Sequence, residues 1–295
     1  MGKLKGEKSL VSRGIVAGFA LIASATVLGG CSAISSDSAQ QTGTVSQSSS
    51  VDASAEPFSY DTYAEVLAAY VDEQGLIDYA GLQQDRGGLD QFNASMGAVS
   101  QETFNSWSEN ERLAFLINAY NAFTLQSIID QQPLKSSIRD IPGVWRIRTF
   151  NVAGESKTLD NIEHDTIRKD FAEPRIHSAL NCSAISCPVL RQEPYTAEQL
   201  DQQLEEQVYR WLLSPEGIQI DREAGEVKIS SIFDWFGEDW IDAFSVDSGF
   251  DGSDKQRASL NFISQYLSEE DAEYLQAGGY RVKYLNYNWD LNIQS

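Results

Sequence analysis

The chain of 295 residues has only two histidines and three cysteines. Four of these five, His164, His177, Cys182 and Cys187, fall within 24 positions. A thiolate held near an imidazole or a helix N-terminus has a depressed pKa and attacks acyl carbons. Cys182 is the first candidate nucleophile and Cys187 the second, because Pro188 can open a helix whose N-terminal end favours a thiolate. His177 is the nearer base in sequence. Along a straight strand, however, five residues at about 3.3 Å each hold it about 16 Å from Cys182, so the chain must turn. His164, arriving on a separate helix, is the other candidate base. Glu163 or Asn181 is placed to orient the base, and Asn181 could also donate to an oxyanion. Two alternatives use the same residues. The four side chains form a two-histidine, two-cysteine set that suits tetrahedral zinc, although their spacing matches no common zinc motif. Alternatively, the stretch belongs to a non-catalytic module that binds a small molecule or a protein, with Cys182 and Cys187 as a disulfide or as buried thiols.

These residues need elements to carry them. The strongest helix opens at Ser108, which forms a capping-box pattern with Glu111. It stays apolar nearly all round to about residue 131, so it is expected to be buried. Asn118, Tyr120 and Asn121 interrupt that apolar run. Asn118 and Asn121 share a face at i, i+3, and a buried amide left unpaired costs about 1–3 kcal/mol. They either pin a loop or line the pocket with Tyr120, Arg175, Asn181 and Trp289. A second helix is expected from about 160 to 169, carrying Glu163 and His164, with Asp160 or Asn161 as its cap. Residues 175–181 alternate apolar and polar, which predicts a strand running into a turn at 181–183. Hairpins are expected around Ala153-Gly154 and Ala224-Gly225. Helices are expected over 60–71, 82–96, 196–213 (capped by Thr196 with Gln199), 232–244 and 259–275, and an aromatic strand over 281–291. The fold class is α+β: a helical core around 110–131 packed on a small mixed or antiparallel sheet, built from the hairpins, the 175–181 strand and the tail. The loose run of acids and glycines over 247–254 lacks the full calcium-loop pattern.

The ends give an address. Residues 1–30 have a basic start (Lys3, Lys5, Lys8, Arg13) and an apolar run from 15 to 28, which is short for a membrane span and laid out as a secretion leader. The run ends at Leu28-Gly29-Gly30-Cys31, which resembles the box that directs cleavage before a cysteine and its acylation. Cys31 is thus the expected lipidation site and membrane contact. Ser32, not an aspartate, follows it, which by resemblance to the usual sorting rule favours the outer membrane in a cell that has one. Residues 31–57, rich in Ser, Ala, Gln and Thr, read as a tether, and 58–295 as one domain. The net charge is −21. The leader carries four basic side chains and one acid, so its removal leaves −24. Such a surface disfavours nucleic acid and direct adhesion to anionic lipid. A small-molecule or peptide ligand remains as partner, and no cofactor is expected.

Five segments together resemble one known family: 113–125 (LAFLINAYNAFTL), 159–168 (LDNIEHDTIR), 175–190 (RIHSALNCSAISCPVL), 195–212 (YTAEQLDQQLEEQVYRWL) and 284–292 (YLNYNWDLN). It is catalogued as domain of unknown function 547. The most specific part is His177-x-Ala179-Leu180-Asn181-Cys182 followed by Ser186-Cys187-Pro188. Val189 stands where the family usually has a second proline. The resemblance implies a likeness to papain-like and transglutaminase-like thiol folds, a functional role for the cysteines as in a thiol-dependent hydrolase or acyltransferase, and a link to glutathione-type ligands. It names no assigned activity.

Overall fold

Ser108 caps the helix on which the rest of the chain packs. Its hydroxyl accepts from the Glu111 amide, and the Glu111 carboxylate accepts from the Ser108 amide, which completes the capping box. In this computed structural model, which describes residues 57–294, that helix (α5) spans Glu109–Ile129, and every residue from Leu113 to Ile129 is buried. A helix apolar all round has no solvent face to offer, so it is enclosed on all sides. Before it come α1 (Asp61–Tyr70), α2 (Tyr79–Gln84), α3 (Gly87–Ala98) and α4 (Gln101–Ser106). Tyr63 of α1 stacks on Phe92 of α3 with ring centroids 4.5 Å apart. The leader, Cys31 and nearly all of the expected tether lie outside the described residues.

The first hairpin is β1 (Phe150–Val152) with β2 (Glu155–Lys157), turning through Ala153 and Gly154, both at positive φ. A π-helix then runs Asn161–Ile167 and continues into α6 (Arg168–Asp170). It starts on a reciprocal pair: the Thr158 amide donates to the Asn161 side chain and the Asn161 amide to the Thr158 hydroxyl. After Pro174 comes a single helical turn, α7 (Ile176–Ala179). Helix α8 (Leu200–Leu212) follows, then the hairpin β3 (Ile218–Asp221) and β4 (Glu226–Ile229). Three short pieces come next: α9 (Ile232–Phe236), a 3-10 turn Gly237–Trp240, and α10 (Ile241–Phe244). The chain ends with α11 (Asp254–Ser264), α12 (Glu269–Ala277) and β5 (Arg281–Tyr284). Strand β5 joins β4 in parallel, which gives a three-stranded mixed sheet of order β3-β4-β5. The first hairpin stays a separate two-stranded sheet.

The fold is α+β, but several elements differ from the sequence expectation. The 175–181 stretch is helical, not a strand. Its alternation carries no information because Ile176, His177, Ser178 and Ala179 are all buried, so it has no exposed face. Pro174 instead sets up the turn, its carbonyl accepting from the His177 amide. No strand from this stretch joins the β-hairpins, so they do not merge into one sheet. The strand of the tail stops at Tyr284. Thr196 does not cap α8, which starts at Leu200; the Thr196 amide is taken by the Gln203 side chain. Asp160 gives no side-chain cap to the π-helix, and the expected helix over 259–275 breaks into α11 and α12.

Buried apolar residues form two clusters. The first joins α1, α2, α3 and α5, the π-helix, α7 and the start of α8 (Leu200, Leu204). The second joins the end of α8 (Val208, Trp211, Leu212) to β4, α9, α11 and α12. Helix α8 therefore has one end in each core. Among the described residues no helix is long and apolar enough to cross a membrane.

Candidate functional site

A cavity of about 570 Å³ opens between residues of the two cores, within the range of organic-ligand sites. Its lining includes Tyr120, Glu163, His164, His177, Leu180, Cys182 and Cys187. Ile232 and the aromatic residues Trp235, Phe236, Tyr287 and Trp289 also line it. The aromatic residues are in mutual contact: Trp235 stacks with Trp289 at 5.6 Å and meets Tyr287 at 4.8 Å, and Tyr287 meets Trp289 at 4.5 Å.

The two cysteines sit in a loop that Asn181 closes. The Asn181 side-chain oxygen accepts from the Ser183 amide (2.9 Å), and its side-chain nitrogen donates to the Pro188 carbonyl (2.7 Å). Ser183 lies in the left-handed region at φ 59°, which turns the chain back on itself. The tail clamps the loop from outside. The Ile185 amide donates to the Asp290 carbonyl and the Ser186 amide to the Asn288 carbonyl, while Ala184 pairs with Leu291. This docking carries Tyr287 and Trp289 to the cavity. Both cysteines are free thiols, Cys182 half-buried and Cys187 buried. Their sulfurs are 2.8 Å apart, and the Tyr287 hydroxyl stands 3.2 Å from Cys182 Sγ. The Cys187 thiol, acting against burial, holds the Cys182 thiol below its ordinary value, with help from the Tyr287 hydroxyl and the Ala184 backbone amide. Burial pushes the Cys187 and Tyr287 groups well up.

The histidines belong to a different network. His177, nearly fully buried, contacts Asp239 Oδ2 through Nε2 at 2.7 Å. Its ring stacks on Phe236 at 4.6 Å. Asp239 also takes a two-pronged grip from Arg168, Nε to Oδ2 at 2.6 Å and Nη2 to Oδ1 at 2.8 Å. Burial raises the Asp239 carboxyl, but Arg168 and His177 outweigh it and hold the group well below the usual carboxylate range. An ionised carboxylate only accepts, so His177 Nε2 carries a proton. Arg168 Nη1 lies 3.2 Å from His164 Nδ1. A guanidinium only donates, so Nδ1 accepts and the neutral His164 ring carries its proton on Nε2. Asp239 and Arg168 thus connect both histidines. Neither ring hydrogen-bonds to either sulfur among the described residues. No group of three or more His, Cys, Asp or Glu side chains among them is placed to hold a metal ion, so the two-histidine, two-cysteine set is not assembled.

Glu163 lines the cavity at 9% exposure. His164 Nδ1 is its one neighbour at ion-pair range among the described residues, 3.9 Å away. Burial first, and then the Glu163 charge, push the Tyr120 phenol well above its ordinary value. The two asparagines of α5 pin backbone. Asn118 donates to the Tyr195 carbonyl (2.8 Å) and accepts from its amide (3.0 Å). Asn121 donates to the Ala179 carbonyl (3.0 Å) and accepts from the Asn181 amide (2.8 Å). Asn121 therefore fixes the backbone just before Cys182, whereas Asn118 holds a loop and does not line the cavity. Both ends of the Asn181 side chain bond within its own loop, and the residue is buried outside the cavity lining, so it neither orients a histidine nor faces an oxyanion. Arg175 points away, to Glu173, Asp201 and Glu205. Trp289 and Tyr120 do line the cavity.

Residues 104–212 match the family model described as protein of unknown function, DUF547. The match holds α5, both histidines and the cysteine loop. It stops short of Asp239, Phe236, Tyr287 and Trp289. No curated protein and no solved structure matches the chain.

Sequence reading missed Asp239, Arg168, Trp235, Phe236 and Tyr287 as site residues. Arg168 had a usable signal, since His164 and Arg168 are i, i+4 on one helical segment. Asp239 had none, being one of 43 acidic residues and 62 positions from His177.

Proposed function

We propose that this chain is a thiol-dependent hydrolase or acyltransferase in which Cys182 attacks the acyl carbon of a small molecule or peptide seated in the aromatic cleft. The observation that carries this reading is geometric: the half-buried Cys182 sulfur lines the cleft with the Tyr287 hydroxyl 3.2 Å and the Cys187 sulfur 2.8 Å away, neighbours that hold its thiol below its ordinary value. A thiol with a lowered pKa can reach its thiolate form without an imidazole bonded to the sulfur. The Cys182 sulfur forms a thioester as the leaving group departs, and water or an acceptor then releases the acyl group. His164, with its proton on Nε2, offers a donor to the same cleft for the leaving group or the oxyanion. The likeness to papain-like and transglutaminase-like enzymes extends on this reading to the covalent thioester, not to a bonded sulfur–imidazole pair.

The test is mass spectrometry after exposure to p-nitrophenyl acetate. Wild type and Cys187→Ser should acquire an acetyl group on Cys182, and Cys182→Ala should not. Equal labelling of Cys182→Ala would exclude Cys182 as the nucleophile. A second reading, a non-catalytic pocket for a small molecule such as a glutathione-like ligand or for a partner protein, is favoured by the absence of any ring–sulfur bond. On that reading the acetyl adduct stays on and no turnover follows. We place the chain in the cell envelope as a lipoprotein of the outer membrane, attached through acyl chains at Cys31, because the sequence before Cys31 has the leader layout and the acidic body has no affinity of its own for anionic lipid.

A further inference from the structure

We propose a second activity at the same loop: Cys182 and Cys187 form a redox-active dithiol that reduces a low-molecular-weight disulfide admitted by the aromatic cleft. Cys182 is the attacking thiol and Cys187 the resolving one. The inference does not rest on acyl transfer. It rests on where the two sulfurs are and how differently they are exposed.

A disulfide bond is about 2.05 Å long, and the two sulfurs already stand 2.8 Å apart. Closing the bond takes a movement of about 0.8 Å, within a loop that Asn181 ties at both ends. The Cys182 amide also points at Cys187 Sγ, at 2.9 Å, which holds the second sulfur over the first. Cys182 is half-buried at the cleft, whereas Cys187 is only 6% exposed. An incoming disulfide therefore reaches Cys182 first. The raised Cys187 thiol and lowered Cys182 thiol divide the roles in the same direction. Exchange between thiols and disulfides also needs no imidazole on the sulfur, because the leaving group is itself a thiolate. The absence of a ring–sulfur bond is no obstacle to this exchange. A cleft of about 570 Å³ admits a small organic disulfide and not a folded protein loop with its flanking chain.

The chemistry balances in two steps. The Cys182 thiolate attacks one sulfur of R–S–S–R; a Cys182–S–S–R bond forms, the substrate bond breaks, and RS⁻ leaves. Cys187 then loses its proton and attacks Cys182 Sγ. The Cys182–Cys187 bond forms, and the second RS group leaves as a thiol with that proton. The substrate gains two electrons and the cysteine pair loses two. An external dithiol reductant restores the pair.

The experiment uses the full chain, reduced with dithiothreitol, freed of it, and mixed with one equivalent of bis(2-hydroxyethyl) disulfide. Cleavage after Arg175 and Arg191 isolates the peptide that holds both cysteines. In wild type this peptide should lose two hydrogens and carry no adduct. Dithiothreitol should restore it. Cys187→Ser should instead retain the mixed disulfide at least about tenfold longer than wild type, and Cys182→Ser should take up no adduct. A wild-type peptide that carries adducts, stays reduced, or cannot be re-reduced would overturn the proposal. The wild-type measurement needs no variant, so a folding defect in either serine variant leaves it decisive. The acetylation test is separate. A chain that forms the internal disulfide but accepts no acetyl group keeps this activity and loses the other, and the converse holds equally.

Discussion

Asp239 is the residue on which the histidine network depends. It accepts from Arg168 through both oxygens and from His177 through one. Asp239→Asn keeps the shape and removes the charge, and it turns an NH2 donor toward Arg168 or His177, each of which also donates. Hydrogen bonds to charged groups contribute about 1.5–3 kcal/mol each, and removing one partner of a largely buried ion pair costs about 3–5 kcal/mol. We expect Asp239→Asn to lose roughly 3 kcal/mol at pH 7 by urea denaturation. The pH dependence follows from the sign of the shift. A carboxyl whose folded pKa is depressed contributes its full stability above its unfolded value, about 3.9, and loses it as pH falls toward the folded value. The gap between wild type and Asp239→Asn should therefore narrow steadily below about pH 4. A gap of constant size from pH 7 down to pH 3 would mean that the Asp239 charge stabilises nothing.

At the scale of elements, α5 sets the position of the cysteine loop through one side chain. Asn121 satisfies the Ala179 carbonyl and the Asn181 amide on either side of Leu180, directly before Cys182. Asn118 makes the same two kinds of bond one turn earlier, but to Tyr195. The pair gives an internal control. Either alanine variant leaves two buried backbone groups unpaired and should cost roughly 2–4 kcal/mol. Only Asn121→Ala should also shift the pH at which iodoacetamide alkylates Cys182 up toward that of an ordinary thiol. An equal shift in Asn118→Ala would show that general loosening is responsible. These elements also show what the sequence can reveal. Helix α5 was legible because its cap and its all-round apolar character are local facts. Residues 175–181 were not, because alternation has meaning only where one face meets water, and this turn is buried throughout. The cysteines and histidines were legible as a cluster. Their division into a sulfur loop and a separate histidine network was not, since it depends on Asp239 and Tyr287, contributed from 52 or more positions beyond Cys187.

At the scale of the whole molecule, the cleft forms where the two cores face each other, and α8 holds the cores together. Leu204 belongs to one and Trp211 to the other, seven residues apart on the same helix. The site therefore needs both cores folded, since Tyr120 and Leu180 of its lining belong to the first and Ile232 to the second. The charge of the molecule bears on where that site operates. At −21 overall, and −24 once residues 1–30 are removed, the protein is repelled by anionic headgroups. On the proposed anchoring at Cys31, attachment rests on acyl chains and not on charge. Two or more buried chains give stable anchoring, at about 0.8 kcal/mol per buried methylene, and burial of apolar chains does not weaken as salt rises, whereas attraction between charges does. In cells, the full chain should therefore fractionate with membranes, resist extraction with 1 M salt, and enter the detergent phase of a Triton X-114 separation. Cys31→Ala should incorporate no labelled palmitate and should run heavier than wild type on a denaturing gel, because its leader is retained. Release of the wild-type chain by salt alone would rule out acyl anchoring at Cys31 and require a basic partner surface instead.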